Sequence, residues 1–185
     1  MGEIRSANER GRSCVAMTKM RASLGHVNLT LPGDSALLQS AGKVALVHGQ
    51  LELMLRMVFK TLAGLSVQEA LDATSDMRTS DVRRHIAKLF NQKSSDIVLR
   101  CKLKAVLGHC KRLSEQRNKL IHNAWAIASD DSIVTKGDSH AWGDAPTSEQ
   151  LNILAQEIST IVDKLNHERL NGFISEVSDQ DNECM

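Results

Sequence analysis

The feature that most constrains the fold is a long segment whose apolar residues recur at the period of an α-helix. The apolar positions in this segment are Leu37, Ala41, Val44, Val47, Leu51, Met54, Leu55, Val58 and Leu62. Intervals of mostly three and four residues bring such positions to one face of a helix. The start is expected at Asp34 or Ser35 and the stop at Gly64. The pattern therefore predicts a long amphipathic helix between these residues.

Two shorter helices are expected to follow. Ser66 with Glu69 three positions later forms a capping-box pattern, which is typical of a helix start. Ser80 is expected to cap a third helix. The inward residues of that third helix are Val82, Ile86, Leu89 and Phe90.

A second long helix is expected from a cap at Ser94 or Ser95 to about His122 or Asn123. Its apolar sector contains Leu99, Leu103, Val106, Leu107, Cys110, Leu113, Leu120 and Ile121. Beyond it, β-prone runs around residues 130–131 predict a small hairpin, and residues 137–146 predict a loop.

The last helix is expected to begin after Thr147, which forms a second capping-box pattern with Gln150. Its inward stripe consists of Leu151, Leu154, Ala155, Ile158, Ile161, Val162 and Leu165. Only 3% of the residues are aromatic, so aliphatic side chains must build the core, which suits helix-on-helix packing. The predicted fold is all-α: an up-down bundle of three long and two short helices, with a small β-hairpin or loop before the last helix.

The domain organisation follows from the same pattern. Residues 1–33 are expected to be a flexible, mildly basic N-terminal arm, residues 34–175 a helical domain, and residues 176–185 an acidic C-terminal tail. No run approaches the roughly 18 apolar residues of a membrane span, so no membrane partner is expected. The 4 cysteines form no C-x-x-C pair, which fits a reducing cytoplasm. No metal-ligand cluster is apparent, and neither a metal nor another cofactor is expected.

The long helix carries a charge within its apolar sector. Arg117 is seven residues after Cys110 and four before Ile121, so it points along the centre of that sector. Burying an unpaired guanidinium costs several kcal/mol. Arg117 therefore needs a buried carboxylate, an open cleft or a polar interface between subunits. Pairing with Glu52 of the first helix is one interpretation, and a phosphate-binding site is another.

The residues around Arg117 favour the functional interpretation. RNKLIH places Asn118 directly after Arg117 and His122 five positions after it, at the end of a long helix. This pattern resembles the signature of the HEPN domain superfamily, an arginine and a histidine separated by four to six residues with a polar residue after the arginine. The helix containing HGQLELMLRMVF and the segments after NAW are also similar to HEPN proteins in organisation. HEPN toxins paired with nucleotidyltransferase antitoxins usually carry a tyrosine two places after the histidine, where this chain has Ala124.

The resemblance implies a metal-independent endoribonuclease of the toxin or antiviral-defence kind. Such enzymes are usually homodimers whose two motifs face one cleft. In this interpretation Arg117, His122 and Asn118 are the catalytic residues. The products are a 2′,3′-cyclic phosphate and a 5′-hydroxyl, and RNA is the partner. An antitoxin or another regulatory protein is a further candidate partner.

Several other residues are assigned supporting roles. Glu52 is a candidate anchor for Arg117, and His48, four residues before it, falls in the apolar sector of the first helix. The basic face of the long helix is a candidate track for the RNA backbone through Lys104, Lys111, Arg112 and Lys119. The alternative hypothesis is a non-catalytic HEPN-like helical module for dimerisation or for RNA or nucleotide binding. In that case Arg117 and Glu52 form a structural pair.

Overall fold

The structure is a computed structural model that describes Leu29, residues 32–137 and residues 142–179. The described residues are mostly helical, as the sequence predicts. The helices are α1 Ser35–Ala63, α2 Val67–Ala73, α3 Thr79–Lys93, α4 Ile97–His122, α5 Ser148–Asn171 and α6 Phe173–Asp179. The strands are β1 Ala124–Ile127, β2 Ile133–Lys136 and β3 Gly143–Asp144. The expected arm, residues 1–33, lies almost entirely outside the described residues.

Local chemistry sets both ends of α1, as expected. The Asp34 carboxylate accepts hydrogen bonds from the backbone N–H groups of Ala36 and Leu37, at 2.9 and 3.1 Å. Gly64 ends the helix with φ of 67°, in the left-handed region where glycine carries no steric penalty. Both predicted capping boxes, at the starts of α2 and α5, are also present.

The predicted starts of α3 and α4 are wrong by one or two residues. Helix α3 begins at Thr79 and lacks a side-chain cap, so Ser80 is already inside it. Asp96 caps α4, because its carboxylate accepts from Val98 N at 2.7 Å and Leu99 N at 3.3 Å. Ser94 instead ends α3. In a run of three capping residues the carboxylate is favoured, since it also interacts with the positive end of the helix dipole.

The expected hairpin is confirmed between β1 and β2, which pair antiparallel through partners such as Trp125 and Thr135. Asp131 turns the chain with φ of 62°. The loop expected over residues 137–146 contains a further short strand, β3, which pairs with β2. Residues 138–141 lie outside the described part of the chain. A two-residue strand carries no periodicity, so the sequence gives no signal for β3.

Helix α1 lies at the centre of the bundle and packs most extensively on α5. Asn152, near the start of α5, donates to Ser40 at 3.1 Å, and Ser178 of α6 donates to the Thr61 carbonyl at 2.7 Å. These contacts at opposite ends of α1 show that α1 and α5 run in the same direction. The apolar stripes predicted for α1 and α5 are buried or half-buried in one core.

Helix α6 was not expected from the sequence. It buries Phe173, Ile174 and Val177 against the same core, and the Phe173 ring meets Phe90 edge-on at 5.7 Å between centroids. The helix continues to Asp179, into the segment expected to be the acidic tail. Only three apolar residues mark it, which is too few to establish a helical period.

The α5 capping box allows a direct stability test. Thr147→Ala should lower the free energy of unfolding by about 1 kcal/mol, because it removes the acceptor for Gln150 N. Thr160→Ala on the same helix is the matched control, since Thr160 only donates to the Gln156 carbonyl in mid-helix. Urea denaturation measures both variants. Equal effects of the two substitutions would contradict the cap assignment.

Candidate functional site

Three helices meet around Arg117. Helices α1, α3 and α4 pack on one another, and two long-range hydrogen bonds join them. One links His48 of α1 to Ser114 of α4, and the other links Thr79 of α3 to Glu52 of α1. Ser114 is three residues before Arg117, so this contact places His48 next to the turn that carries Arg117. We call this region the three-helix junction.

His48 is the buried histidine of the junction, with 2% of its surface exposed. Its Nε2 lies 3.2 Å from Ser114 Oγ, and Ser114 Oγ donates its own proton to the Cys110 carbonyl at 2.9 Å. Nε2 must therefore carry the proton and donate to Ser114. Nδ1 of the neutral ring is then an acceptor, and it lies 3.6 Å from Glu52 Oε1. A second proton on His48 would be placed facing the Glu52 carboxylate.

The electrostatics of the junction favour the neutral form of His48. Burial is the largest cause of a lowered pKa for His48, and the charges of Arg117 and Arg83 lower it further. Glu52 opposes these effects. Burial also raises the pKa of the Cys110 thiol to about 11, so Cys110 stays protonated and is a packing residue rather than a nucleophile.

The lowered pKa of His48 predicts a pH dependence of stability. Below the ordinary histidine value of 6.5 the unfolded chain takes up a proton at this position that the folded chain does not bind. The free energy of unfolding should therefore fall as pH decreases below that value, by at most about 1.4 kcal/mol per pH unit for one proton. His48→Gln, which can still bond to Ser114, should make that decrease shallower. Urea unfolding at about pH 7.5 and about pH 5.5 measures it.

His167→Gln, on the exposed side of α5, is the control for this measurement. It should leave the wild-type pH dependence unchanged. A His48→Gln variant with the same dependence as wild type would show that His48 is not held neutral in the folded protein.

Arg117 is half-buried, and its Nε is buried without a hydrogen-bond partner among the described residues. Its Nη1 donates to Asn118 Oδ1 at 3.2 Å. Within the described ranges no ion pair joins Arg117 to Glu52, whose Oε1 accepts from Thr79 at 2.9 Å. The interpretation of Arg117 and Glu52 as a direct structural pair is therefore wrong. Leaving a buried N–H unsatisfied costs about 1–3 kcal/mol, which makes Arg117 an unusual residue at this position.

Of the predicted catalytic residues, Asn118 contacts Arg117, whereas His122 points in a different direction around α4 within one chain. His122 is the last residue of α4 and is exposed, and Asn118 is exposed as well. Helix α4 remains regular to its end, where Asn123 N donates to the Lys119 carbonyl at 3.1 Å. Five helical positions separate two side chains by about 140° around the axis. The buried imidazole near Arg117 is that of His48.

The candidate RNA track is on the solvent side of α4, where Lys104, Lys111, Arg112 and Lys119 are all exposed. Lys104 and Lys111 are seven residues apart, and so are Arg112 and Lys119. A spacing of seven residues is about two helical turns, so the four side chains share one broad face of α4. Lys111 lies 3.7 Å from Glu115 in an exposed i,i+4 pair, which contributes little to stability.

An apolar surface remains uncovered on the outer side of α1. Leu46 is 74% exposed and Leu53 51% exposed, and Leu38 lies on the same side. Gly42 and Gly49 lie on the same side of the helix as these leucines. The space outside both glycines is open, because a methyl group added at either one would meet no atom within 4 Å. On α4, Ile121 is 45% exposed, so its predicted inward position is wrong. The core face of α4 ends at Leu120, and the next apolar residue faces solvent.

Other features of the structure bear on possible ligands. A groove of 770 Å³ lies between the end of α4, the sheet and the start of α5, and another of 730 Å³ lies between α4, α5 and α6. Neither is lined by Arg117 or His122. Residues 32–137 and 142–179 contain no cluster of three or more His, Cys, Asp or Glu suited to a metal ion. No helix in these ranges is long and apolar enough to cross a membrane.

Comparison of the chain with protein-family models, with curated proteins and with solved structures yields no significant match. The site must therefore be interpreted from its own chemistry. Sequence reasoning missed Arg83 of α3, whose charge lowers the pKa of His48 and whose Nη1 is buried without a hydrogen-bond partner in the described part of the chain. Its position next to the inward Val82 and three residues before Ile86 was the available signal.

Proposed function

We propose that this protein is a HEPN-type, metal-independent endoribonuclease of the toxin or defence kind. The observation that carries the proposal is Arg117. It lies along the apolar face of α4, has a buried N–H with no acceptor among residues 32–137 and 142–179, and precedes His122 by five residues. A guanidinium can donate two parallel hydrogen bonds to a phosphodiester. A role in phosphate binding therefore explains the unpaired N–H of Arg117 better than a role in core packing does.

The proposed reaction uses the nucleophile that RNA itself provides. His122 takes the proton of the 2′-hydroxyl or gives one to the leaving 5′-oxygen, since an imidazole exchanges protons near neutral pH. Arg117 holds the phosphate and offsets the negative charge of the transition state. Asn118 orients the Arg117 guanidinium through the hydrogen bond between them. The products are a 2′,3′-cyclic phosphate and a 5′-hydroxyl.

A homodimer completes the proposed site. Within one chain His122 lies about 140° around the helix from Arg117, so the two side chains reach one phosphate most directly when they come from different subunits. The uncovered leucines on the outer side of α1 provide apolar area for a two-fold interface, and Ile121 is an exposed apolar residue next to His122. The basic face of α4 then guides the RNA backbone by charge attraction that weakens as salt rises.

The proposed location is the cytoplasm. Cys101 is exposed and Cys110 is buried, and both are free thiols, which suits a reducing compartment. A toxin or defence nuclease would also require control there, and an antitoxin or another regulatory protein is the proposed partner for that role.

The second candidate function is a non-catalytic module for dimerisation or for RNA or nucleotide binding. The separation of His122 from Arg117 within one chain favours it, because a binding site needs only the arginine. Cleavage of a mixed RNA pool in the presence of EDTA distinguishes the two candidates. Wild-type protein should cleave, and the His122→Ala and Arg117→Ala variants should not.

A further inference from the structure

The groove of 770 Å³ between the end of α4, the sheet and the start of α5 lies next to His122. Two of its lining residues flank that histidine in the sequence: Asn123 follows it directly, and Lys119 is three residues before it. Three helical positions place the Lys119 side chain about 60° around the axis of α4 from His122. A small ligand in this groove therefore lies beside the exposed imidazole, and the volume is within the range of about 300–1,000 Å³ that is usual for such ligands.

The floor of the groove is apolar and includes one aromatic ring. Leu120 and Leu151 are buried, Leu154 is half-buried, and Ile153 is 54% exposed. Trp125 is half-buried, and its Nε1 donates to the Leu120 carbonyl at 3.0 Å, which fixes the orientation of the indole. A fixed and partly uncovered indole ring is a surface on which a nucleobase can stack.

The rim of the groove carries polar groups that are free to bind a ligand. The Gln116 amide and the Thr135 hydroxyl line the groove, and neither forms a hydrogen bond with another described residue. Asp144 and Glu157 also line it, are exposed, and make no ion pair within residues 32–137 and 142–179. A carboxylate only accepts hydrogen bonds, whereas an amide or a hydroxyl also donates them. The rim therefore suits a planar ligand with amino donors and carbonyl acceptors at its edge.

We propose that this groove binds the base of an unpaired nucleotide, and that it prefers a base with an exocyclic amino group. The base stacks on Trp125, its amino group donates to Asp144 or Glu157, and its phosphate points toward Lys119 and His122. This base site rests on the proposed function, because that function places an RNA phosphodiester at His122. It narrows the substrate to single-stranded RNA, since a base must be unstacked from a helix to enter the groove.

The test compares two neutral nucleosides, cytidine and uridine, which differ only in the amino or carbonyl group at one ring position. Without a phosphate, a change of charge on the rim acts on the base alone. Cytidine should bind about tenfold more tightly than uridine, because only cytidine can donate an amino group to a carboxylate. Isothermal titration calorimetry of the wild-type chain measures both Kd values.

The fluorescence of Trp125 shows whether the nucleoside enters the groove. The chain has two tryptophans, so Trp142→Phe leaves Trp125 as the only one. Trp142 packs on a separate cluster of Ala126, Ala128 and Val134, where phenylalanine keeps an aromatic ring. Cytidine should quench the remaining emission with the Kd that calorimetry gives for wild type.

A matched pair of double variants tests the rim. Asp144→Asn with Glu157→Gln should weaken cytidine binding by about tenfold and leave uridine binding near its wild-type value. Glu149→Gln with Asp163→Asn is the control, since it also removes two exposed carboxylates, both outside the groove. Its cytidine Kd should equal that of wild type. Equal weakening by the two double variants, equal Kd values of cytidine and uridine, or unchanged Trp125 emission would overturn the base site.

Failure of this base site and failure of the proposed nuclease give different results. Cytidine binding in the groove without RNA cleavage by wild type leaves the base site and removes the nuclease. RNA cleavage without cytidine binding leaves the nuclease and removes the base site. His122→Ala should abolish cleavage and keep the wild-type affinity for cytidine, because His122 does not line the groove.

Discussion

His122→Ala should lower the rate of RNA cleavage by about 10²–10⁴-fold, the usual contribution of a positioned general acid or base. Arg117→Ala should lower it by about 10²–10³-fold, since it removes a charge that stabilises the transition state. Cleavage is measured on a mixed RNA pool with EDTA present, and the cyclic phosphate and 5′-hydroxyl ends are identified. Both variants should fold and associate as wild type does, because His122 is exposed and Arg117 is not part of an ion pair in the described structure.

Matched controls make this result specific. His109→Ala removes another histidine from α4, and Arg84→Ala removes an exposed arginine from α3, so neither should change the rate. Cleavage that survives His122→Ala would remove the acid–base role of His122. If wild-type protein cleaves no RNA in the pool, the non-catalytic binding module becomes the better interpretation.

Replacing Leu46 and Leu53 together by aspartate should convert the proposed homodimer into a monomer. Each leucine is more than half exposed in the single chain, and burial of a leucine contributes about 1.5–3 kcal/mol. A two-fold interface contains every substitution twice, so the dimer should weaken by at least about a thousandfold. Sedimentation velocity measures the change from about twice the 20.3 kDa chain mass to the chain mass itself.

The control for this variant is Ile97→Asp with Val98→Asp at the start of α4. These residues are 74% and 57% exposed, which closely matches the 74% and 51% of Leu46 and Leu53. Acidic residues are also favourable in a first helical turn, so the control should fold and stay dimeric. Wild-type protein that sediments as a monomer while cleaving RNA would refute the shared site.

Local signals in the sequence were sufficient for most helices. The caps at Asp34 and Thr147 and the stop at Gly64 were predicted because they depend on residues within a few positions of one another. The prediction failed at the start of α4, where three adjacent capping residues compete and only Asp96 bonds to the first turn. It also gave no indication of α6, whose burial depends on a core built by distant segments.

The burial of single side chains was less predictable. Leu120 is buried while Ile121, adjacent in the predicted apolar sector, faces solvent. Periodicity gives the direction of a side chain around its own helix, but whether a neighbour covers that direction depends on where the other helices end. For the same reason the exposed side of α1 is evident only after α5, α3 and α4 have been placed against its other faces.

The sequence by itself determined the helical class of the fold, both ends of α1, and the presence of Arg117 on an apolar face. These are consequences of backbone periodicity and local hydrogen bonding. Only the tertiary structure decided what lies at the junction with that arginine: His48 is 66 positions from its partner Ser114, and Thr79 bonds to Glu52 across 27 positions. Contacts over such separations depend on how helices cross, and that geometry is set by the packing of the whole core.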